Sequence, residues 1–238
     1  MSLDYNDEFW EDACLCDQGH KLVDKPVKSV VRYEVFPREI SFFGKNNFLL
    51  DFGKEIVGCV RFNGIGKKGT RLRVLCGEEL VDTGHVRYDM RCNVLYEDNW
   101  TLSGNTETIE NFAYKGFRYL EVETEGDSID PSCFSVMAQH YPIEKKSVFH
   151  CNDEDIQGIW DICENAVIIS TQEAYVDCPT REKGQYLGDM LVTGLAHCYI
   201  TSDGEMYKKA LWDFANTAFI CKGLLAVAPG GTMQEIAD

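Results

Sequence analysis

Long apolar runs and an excess of basic side chains are both missing from this sequence. No stretch approaches the roughly 18 consecutive apolar residues of a membrane-spanning helix, and residues 1–9 carry three acidic and no basic side chains, unlike a secretory signal. The 39 acidic residues outnumber the 23 basic ones and leave a formal charge of −16. This charge repels nucleic acid and anionic membranes, so neither is expected as a partner. Because no secretory signal is seen, a cytoplasmic location is predicted.

Internal repeats and low-complexity segments are absent as well, and the 11 cysteines are an odd number. A complete disulfide framework therefore cannot include every cysteine, which favours a reducing compartment. Hydrophobic residues make up 45% of the chain and charged residues 26%, a composition that excludes disorder. A length of 238 residues accommodates two domains.

The first half of the sequence has the pattern of an antiparallel β-sandwich, which we place at residues 27–146 after an N-terminal segment of residues 1–26. Short runs rich in β-branched and aromatic residues recur there every 8 to 12 residues between turn-forming residues. Residues 71–75 and 119–123 alternate polar with apolar side chains, as strands with one hydrated face do. The predicted strands are Lys28–Glu34, Asn47–Asp51, Gly58–Asn63, Thr70–Cys76, Asn93–Leu102, Phe117–Glu123 and Cys133–His140.

The second half, residues 147–238, has helical periodicity. Asn152 and the acidic residues after it predict the start of a first helix. A second helix is predicted at about 189–199 and a third from Ser202 or Asp203. The predicted buried stripe of the first helix is Ile156, Ile159, Trp160, Cys163, Ala166 and Val167, and that of the third is Met206, Tyr207, Ala210, Leu211, Phe214 and Ala218. We expect the chain to stop inside a larger helical domain.

One segment between the first two predicted helices, residues 175–189, concentrates polar residues of both signs. It holds three carboxylates within thirteen residues, together with Arg181, Lys183 and two tyrosines. Charge-assisted hydrogen bonds bind sugar hydroxyls and aromatic rings pack on sugar faces, so the composition suits a carbohydrate site. A solvated loop with local ion pairs is the alternative.

The same segment resembles a known family. Asp177-Cys-Pro-Thr-Arg-Glu182, followed by Gly188-Asp189, is similar to the active-site motif of the α-L-rhamnosidases, glycoside hydrolase family 78. Three earlier stretches resemble the β-sandwich that precedes the catalytic domain in that family: residues 51–58, 77–80 and 114–122. The resemblance implies β-sandwich modules ahead of an (α/α)₆ barrel, and it implies hydrolysis of terminal α-L-rhamnosides without a cofactor or a metal ion.

The resemblance also implies site residues for an inverting glycosidase. Glu182 matches the general acid, and the choice between it and Asp177 as the acid stays open. The carboxylate of Asp177 would raise the pKa of Glu182, whereas Arg181 and Lys183 would lower it, and the sequence leaves this balance open. Asp189 and Asp177 match the acids that hold rhamnose hydroxyls, Arg181 adjusts their charge, and Tyr186 stands where many members have a tryptophan. The family's general base lies in a later part of the barrel. We therefore predict that this chain alone does not hydrolyse its substrate.

The sequence allows three other interpretations and one further expectation. A thiol nucleophile at Cys178, paired with His150 or His197, lacks a third orienting group, so a buried structural thiol is favoured. A metal site at Cys14, Cys16 and His20 lacks a second ligand pair. A non-catalytic carbohydrate-binding or scaffolding protein with the same architecture is the main functional alternative. Finally, an incomplete helical half predicts self-association through exposed apolar surface.

Overall fold

The computed structural model describes residues 6, 8–15, 19, 22–219 and 223–230. In these residues ten β-strands are followed by three α-helices. The strands are β1 (Val31–Val35), β2 (Glu39–Phe42), β3 (Asn47–Ile65), β4 (Arg71–Gly77), β5 (Asp89–Met90), β6 (Val94–Leu95), β7 (Glu97–Thr101), β8 (Thr106–Glu110), β9 (Lys115–Glu125) and β10 (Phe134–His140). The helices are α1 (Glu154–Ser170), α2 (Leu187–Thr201) and α3 (Glu205–Ala215). The predicted antiparallel β architecture followed by helices is confirmed.

Eight strands form one antiparallel sheet in the order β1-β10-β3-β9-β4-β7, with β2 and β8 also paired to β3. Strand β3 bends strongly. Phe48 and Phe62, at its two ends, have ring centroids 5.7 and 5.3 Å from that of Phe134. A straight strand would separate them by about 46 Å. The sheet therefore folds over on itself, and the aromatic core fills the space between its two parts.

The prediction of two separate strands at Asn47–Asp51 and Gly58–Asn63 is wrong, because both belong to β3. The register of β3 against β9 shifts between Asp51 and Ile56. Gly53 has a φ of 79° there, and its amide donates to Asp51 Oδ1 at 2.7 Å. The local signals of a turn thus mark an irregularity within one strand rather than its end.

The predicted hydrated face of residues 119–123 is also wrong at its centre. Glu121 is only 1% exposed, because the segment around Val86 covers it. Its carboxylate accepts hydrogen bonds from the Val86 amide and from Asn47 Nδ2, each at 2.9 Å, and lies 2.7 Å from His85 Nδ1. The carboxylate replaces its lost hydration with these three contacts and fastens the covering segment to the sheet.

Helix α1 begins one residue later than predicted, because Asp153 rather than Asn152 caps it. The Asp153 carboxylate accepts hydrogen bonds from the amides of Asp155 and Ile156 at 3.0 and 3.2 Å.

The predicted buried stripe of α1 is wrong for four residues, which are exposed: Ile156, Ile159, Cys163 and Ala166. The stripe is confirmed for Val167, which is buried together with Ile169 near the C-terminal end of the helix, where it meets β10 and α2. Trp160, predicted to be core, is half-buried and stacks on Phe149 at 4.7 Å.

The stripe of α3 is confirmed for Met206, Ala210 and Phe214, which pack with Tyr175 and Met190. Leu211 and Ala218, predicted for the same stripe, are exposed. Helix α2 spans residues 187–201 and ends at Ser202, whose φ of 57° stops it. None of the three helices has the length and apolar character required to cross a lipid bilayer.

Candidate active site

The first residues of the loop between α1 and α2 are held in place by contacts with the helices and the sheet. Tyr175 is fully buried, and its hydroxyl lies 2.8 Å from His197 Nδ1. The Val176 amide donates to the Ser170 carbonyl at 2.9 Å, which ties the loop to the end of α1. The Gln172 side chain donates to the carbonyls of Ile169 and Gln139, and so links helix and sheet. The backbone is therefore held before it reaches the acidic residues.

Asp177 closes the loop on itself. Its amide donates to the Gly184 carbonyl at 2.9 Å, and its Oδ1 accepts from the Gly184 amide at 2.8 Å. Gly184 has no room for a side chain, because a Cβ there would lie 2.5 Å from the Tyr186 ring. Lys183 adopts a left-handed φ of 56° to complete the turn. Residues 178–183 thus project as a closed loop with Asp177 at its base.

Glu182 lies against its own neighbour. Arg181 binds both oxygens of the Glu182 carboxylate, with Nε 3.0 Å from Oε2 and Nη2 2.6 Å from Oε1. The Cys178 thiol donates to Oε2 at 3.1 Å. The hydrogen bonds from Cys178 and Arg181 hold the pKa of Glu182 below its usual value. The described residues therefore favour the ionised form of Glu182, which is the opposite of what a general acid requires.

Tyr186 lies where the negative charges of the site converge. It is half-buried directly before α2, and burial raises the pKa of its hydroxyl, with further increases from Asp177, Glu182 and Asp189. Asp189 is exposed in the first turn of α2. Oxygen atoms of Asp177 and Glu182 lie within 4.8 Å of each other and of the Cys178 sulfur. The predicted acids thus share one corner of the molecule, with Tyr186 among them.

A cation at this corner would compete with existing partners for some of the ligand atoms. The Gly184 amide occupies Asp177 Oδ1, and Arg181 and Cys178 occupy both oxygens of Glu182. These contacts explain the arrangement of the three side chains without a metal ion.

Among the described residues, neither His150 nor His197, the two histidines considered as a base, hydrogen-bonds to Cys178. His197 is fully buried and contacts Tyr175, and burial lowers its pKa, whereas His150 is exposed. Cys178 itself is half-buried rather than buried, because it reaches Glu182 at the loop surface. Of the metal interpretation at the N-terminus, Cys14 is exposed, and Cys16 and His20 lie outside the described residues.

Residues of the sandwich half contact the loop and support it. The Tyr96 hydroxyl donates to the Thr180 carbonyl, and Lys183 Nζ donates to the Tyr114 carbonyl at 2.6 Å. The Lys183 ammonium also lies 4.2 Å from the centroid of the Tyr114 ring, a cation–π contact. Pro179 and Thr180 pack on Gly116 of β9, which leaves no space for a Cβ there.

A buried carboxyl group, Glu55, lies at the same contact. A Cβ on Gly116 would lie 3.2 Å from Glu55 Oε1, an atom with no hydrogen-bond donor and no exposed surface. Burial, with smaller contributions from neighbouring Glu78, raises the pKa of Glu55 to about 7. Glu55, Glu78 and Gly116 belong to the three sandwich stretches that resemble the rhamnosidases, and this shared resemblance was the available signal for them.

Two family models match adjacent parts of the chain. The bacterial α-L-rhamnosidase concanavalin-like domain matches residues 42–140. The bacterial α-L-rhamnosidase 6 hairpin glycosidase domain matches residues 144–235. The two matches meet where β10 ends and the segment leading to α1 begins.

Individual relatives agree with these matches. An α-L-rhamnosidase of Formosa agariphila is 23% identical over 204 residues, which cover 83% of this chain and 21% of the relative. The structure of an α-L-rhamnosidase from Dictyoglumus thermophilum has a TM-score of 0.78 and 21% identity, over 90% of this chain and 25% of its own. That of a Streptomyces avermitilis α-L-rhamnosidase complexed with L-rhamnose has a TM-score of 0.78 and 23% identity, over 89% and 21%.

The chain thus spans about a fifth to a quarter of the length of these relatives. The similarity to the solved structures concerns the fold, whereas the two family models together account for most of the sequence. On these matches, the chain belongs to the bacterial α-L-rhamnosidase family.

Proposed function

We propose that this chain supplies the sugar-binding loop and the general acid of an inverting α-L-rhamnosidase. The observation that carries the proposal is the closed loop 177–184, which brings the carboxylates of Asp177 and Glu182 within 4.8 Å of each other. The S. avermitilis relative of the same fold is complexed with L-rhamnose. Asp177 and Asp189 would accept hydrogen bonds from rhamnose hydroxyls, and the Tyr186 ring would pack on the sugar.

In this proposal the Glu182 carboxyl group is protonated, and can act as the general acid, only when substrate covers it. A bound sugar would exclude water from the carboxylate and compete with Arg181 for its oxygens, and both effects raise its pKa. The second carboxylate of an inverting enzyme stands about 6.5 to 9.5 Å away, to leave room for water. Asp177 is closer than that. We therefore assign Asp177 to sugar binding and propose that the general base lies outside these 238 residues.

The test is calorimetric titration of the 238-residue chain with L-rhamnose. Asp177→Asn keeps an oxygen for the Gly184 amide but removes the charge, so we expect rhamnose binding about 10- to 100-fold weaker with the loop intact. Asp127→Asn is the matched control, since Asp127 pairs with Lys67 in a turn of the sandwich. With p-nitrophenyl α-L-rhamnoside, the wild-type chain is expected to show no turnover. Equal rhamnose affinity in both variants would refute the sugar-binding role of Asp177.

A non-catalytic carbohydrate-binding protein is the second candidate function. The observation in its favour is the ion pair with Arg181, which stabilises the charged form of Glu182. Both candidates predict rhamnose binding by this chain. They differ in whether a longer polypeptide containing it cleaves rhamnosides and loses that activity with Glu182→Gln.

The helices also present an apolar surface that we propose is covered by a second copy of the chain. Ile162, Val192 and Tyr199 are 72%, 72% and 80% exposed. We expect sedimentation to show association that strengthens with salt, because ions screen the repulsion between chains of charge −16. Val192→Ser should weaken it. A single monomeric species at all salt concentrations would contradict this proposal.

A further inference from the structure

A cavity of about 480 Å³ lies between the loop and the sandwich. Cys178 and Arg181 line its loop side, and the opposite side is formed by Glu78, Glu79, Arg87 and Arg91. Its volume falls within the range of about 300 to 1,000 Å³ that is typical of small-molecule sites. The cavity adjoins Glu182, because the thiol of its lining residue Cys178 lies 3.1 Å from the Glu182 carboxylate.

The charges in this cavity are unlike those of the chain as a whole. Three guanidinium groups and two carboxylates line it, and one of the three, Arg181, is already paired with Glu182. Glu79 pairs with Arg87 at 2.5 Å, and Glu78 lies near enough to Glu55 to raise the pKa of that carboxyl group. A chain of net charge −16 thus has a site here in which arginines predominate.

The arginines of the cavity differ in how accessible they are. Arg87 Nε has no acceptor but also no exposed surface, and the end of the same side chain binds Glu79. Arg91 is exposed and forms no ion pair with any residue that the structure describes. A guanidinium group is shaped to bind a carboxylate through two parallel hydrogen bonds, so Arg91 is available for such a ligand.

We propose that this cavity binds the sugar next to the terminal rhamnose and selects a uronic acid there, with the guanidinium group of Arg91 as the donor to its carboxylate. The proposal rests on the proposed function, which puts the terminal sugar at Asp177 and the bond to be cleaved at Glu182. The leaving sugar must then lie on the far side of Glu182, and Cys178 and Arg181 border that side. A sulfated sugar shares the anionic chemistry and is distinguished by experiment.

The test compares methyl β-D-glucuronide with methyl β-D-glucoside, which differ only in the carboxylate at C6. Titration of the 238-residue chain is expected to show about tenfold tighter binding of the glucuronide. Arg91→Ala should abolish that preference and Arg91→Lys should retain part of it. The control Arg71→Ala should leave the preference intact, since Arg71 lies exposed on β4 beside Glu125. Equal affinity for the two glycosides would overturn the proposal, and so would tighter binding of the glucoside 6-sulfate.

The same titrations separate this proposal from the one on which it rests. Asp177→Asn should weaken L-rhamnose binding and leave the glucuronide preference unchanged. Rhamnose binding without a glucuronide preference would refute the uronic acid site and leave the rhamnosidase proposal standing. A glucuronide preference that Arg91→Ala removes, in a chain that does not bind rhamnose, would support the site and refute the rhamnose assignment.

Discussion

Between pH 4.5 and about 7 the protein is expected to lose up to about 3 kcal/mol of unfolding free energy through Glu55 alone. The carboxyl group is buried under Gly116 and beside Glu78, so folding favours its protonated form. A pKa raised by folding contributes stability that is complete below the unfolded value of 4.5 and is lost as the pH rises through about 7.

Glu55→Gln isolates this contribution, because the amide is neutral at every pH and can still donate a hydrogen bond to Glu78. Urea unfolding of both proteins at several pH values should show curves that diverge across the window, with the variant relatively more stable at high pH. Glu125→Gln is the control, since the Glu125 side chain is 80% exposed and its charge remains hydrated. If wild type and Glu55→Gln keep a constant stability difference from pH 4.5 to 7, the buried carboxyl does not titrate as proposed.

The sequence predicted the class of the fold well, because strands and helices follow local periodicity. It was wrong where tertiary packing overrides the local signal. The pattern around Gly53 is that of a turn, yet β3 continues through it because pairing with β9 resumes at Ile56. Glu121 alternates like a solvent-facing residue but is buried by the segment around Val86, which is distant in sequence.

The candidate site was predictable only in part. The motif at 177–189 placed Asp177, Glu182 and Asp189 in one loop, and the structure puts Tyr186 among them. The sequence could not predict whether the pKa of Glu182 is raised by Asp177 or lowered by Arg181, because the outcome depends on the orientation of the Arg181 side chain. In the structure Arg181 contacts Glu182, and this contact contributes to lowering the pKa of Glu182. The supporting contacts from Tyr96 and Tyr114 come from residues 60 to 90 positions away in the sequence, so the loop's own sequence does not predict them.

Gly116→Ala is expected to destabilise the protein by about 1 to 3 kcal/mol through overpacking between sheet and loop. The added Cβ would lie 2.8 Å from Thr180 Cγ2 and 3.2 Å from both Pro179 Cγ and Glu55 Oε1. Gly116 is held in the sheet by its pairing with Val57 of β3, so we expect the loop to move rather than the strand. Since Pro179 and Thr180 lie between Asp177 and Glu182, we expect rhamnose affinity to fall together with stability.

Gly158→Ala is a control that adds the same methyl group but is expected to raise stability rather than lower it. Gly158 lies inside α1 with no heavy atom within 4 Å of the position of a Cβ, so alanine should stabilise the helix by about 0.5 to 1 kcal/mol. Urea midpoints of the two variants should therefore move in opposite directions, and only Gly116→Ala should weaken rhamnose binding. Destabilisation by Gly116→Ala without loss of rhamnose affinity would mean that the sheet contact stabilises the fold without positioning the loop. Loss of both would identify the sandwich as the support that sets the geometry of the sugar site.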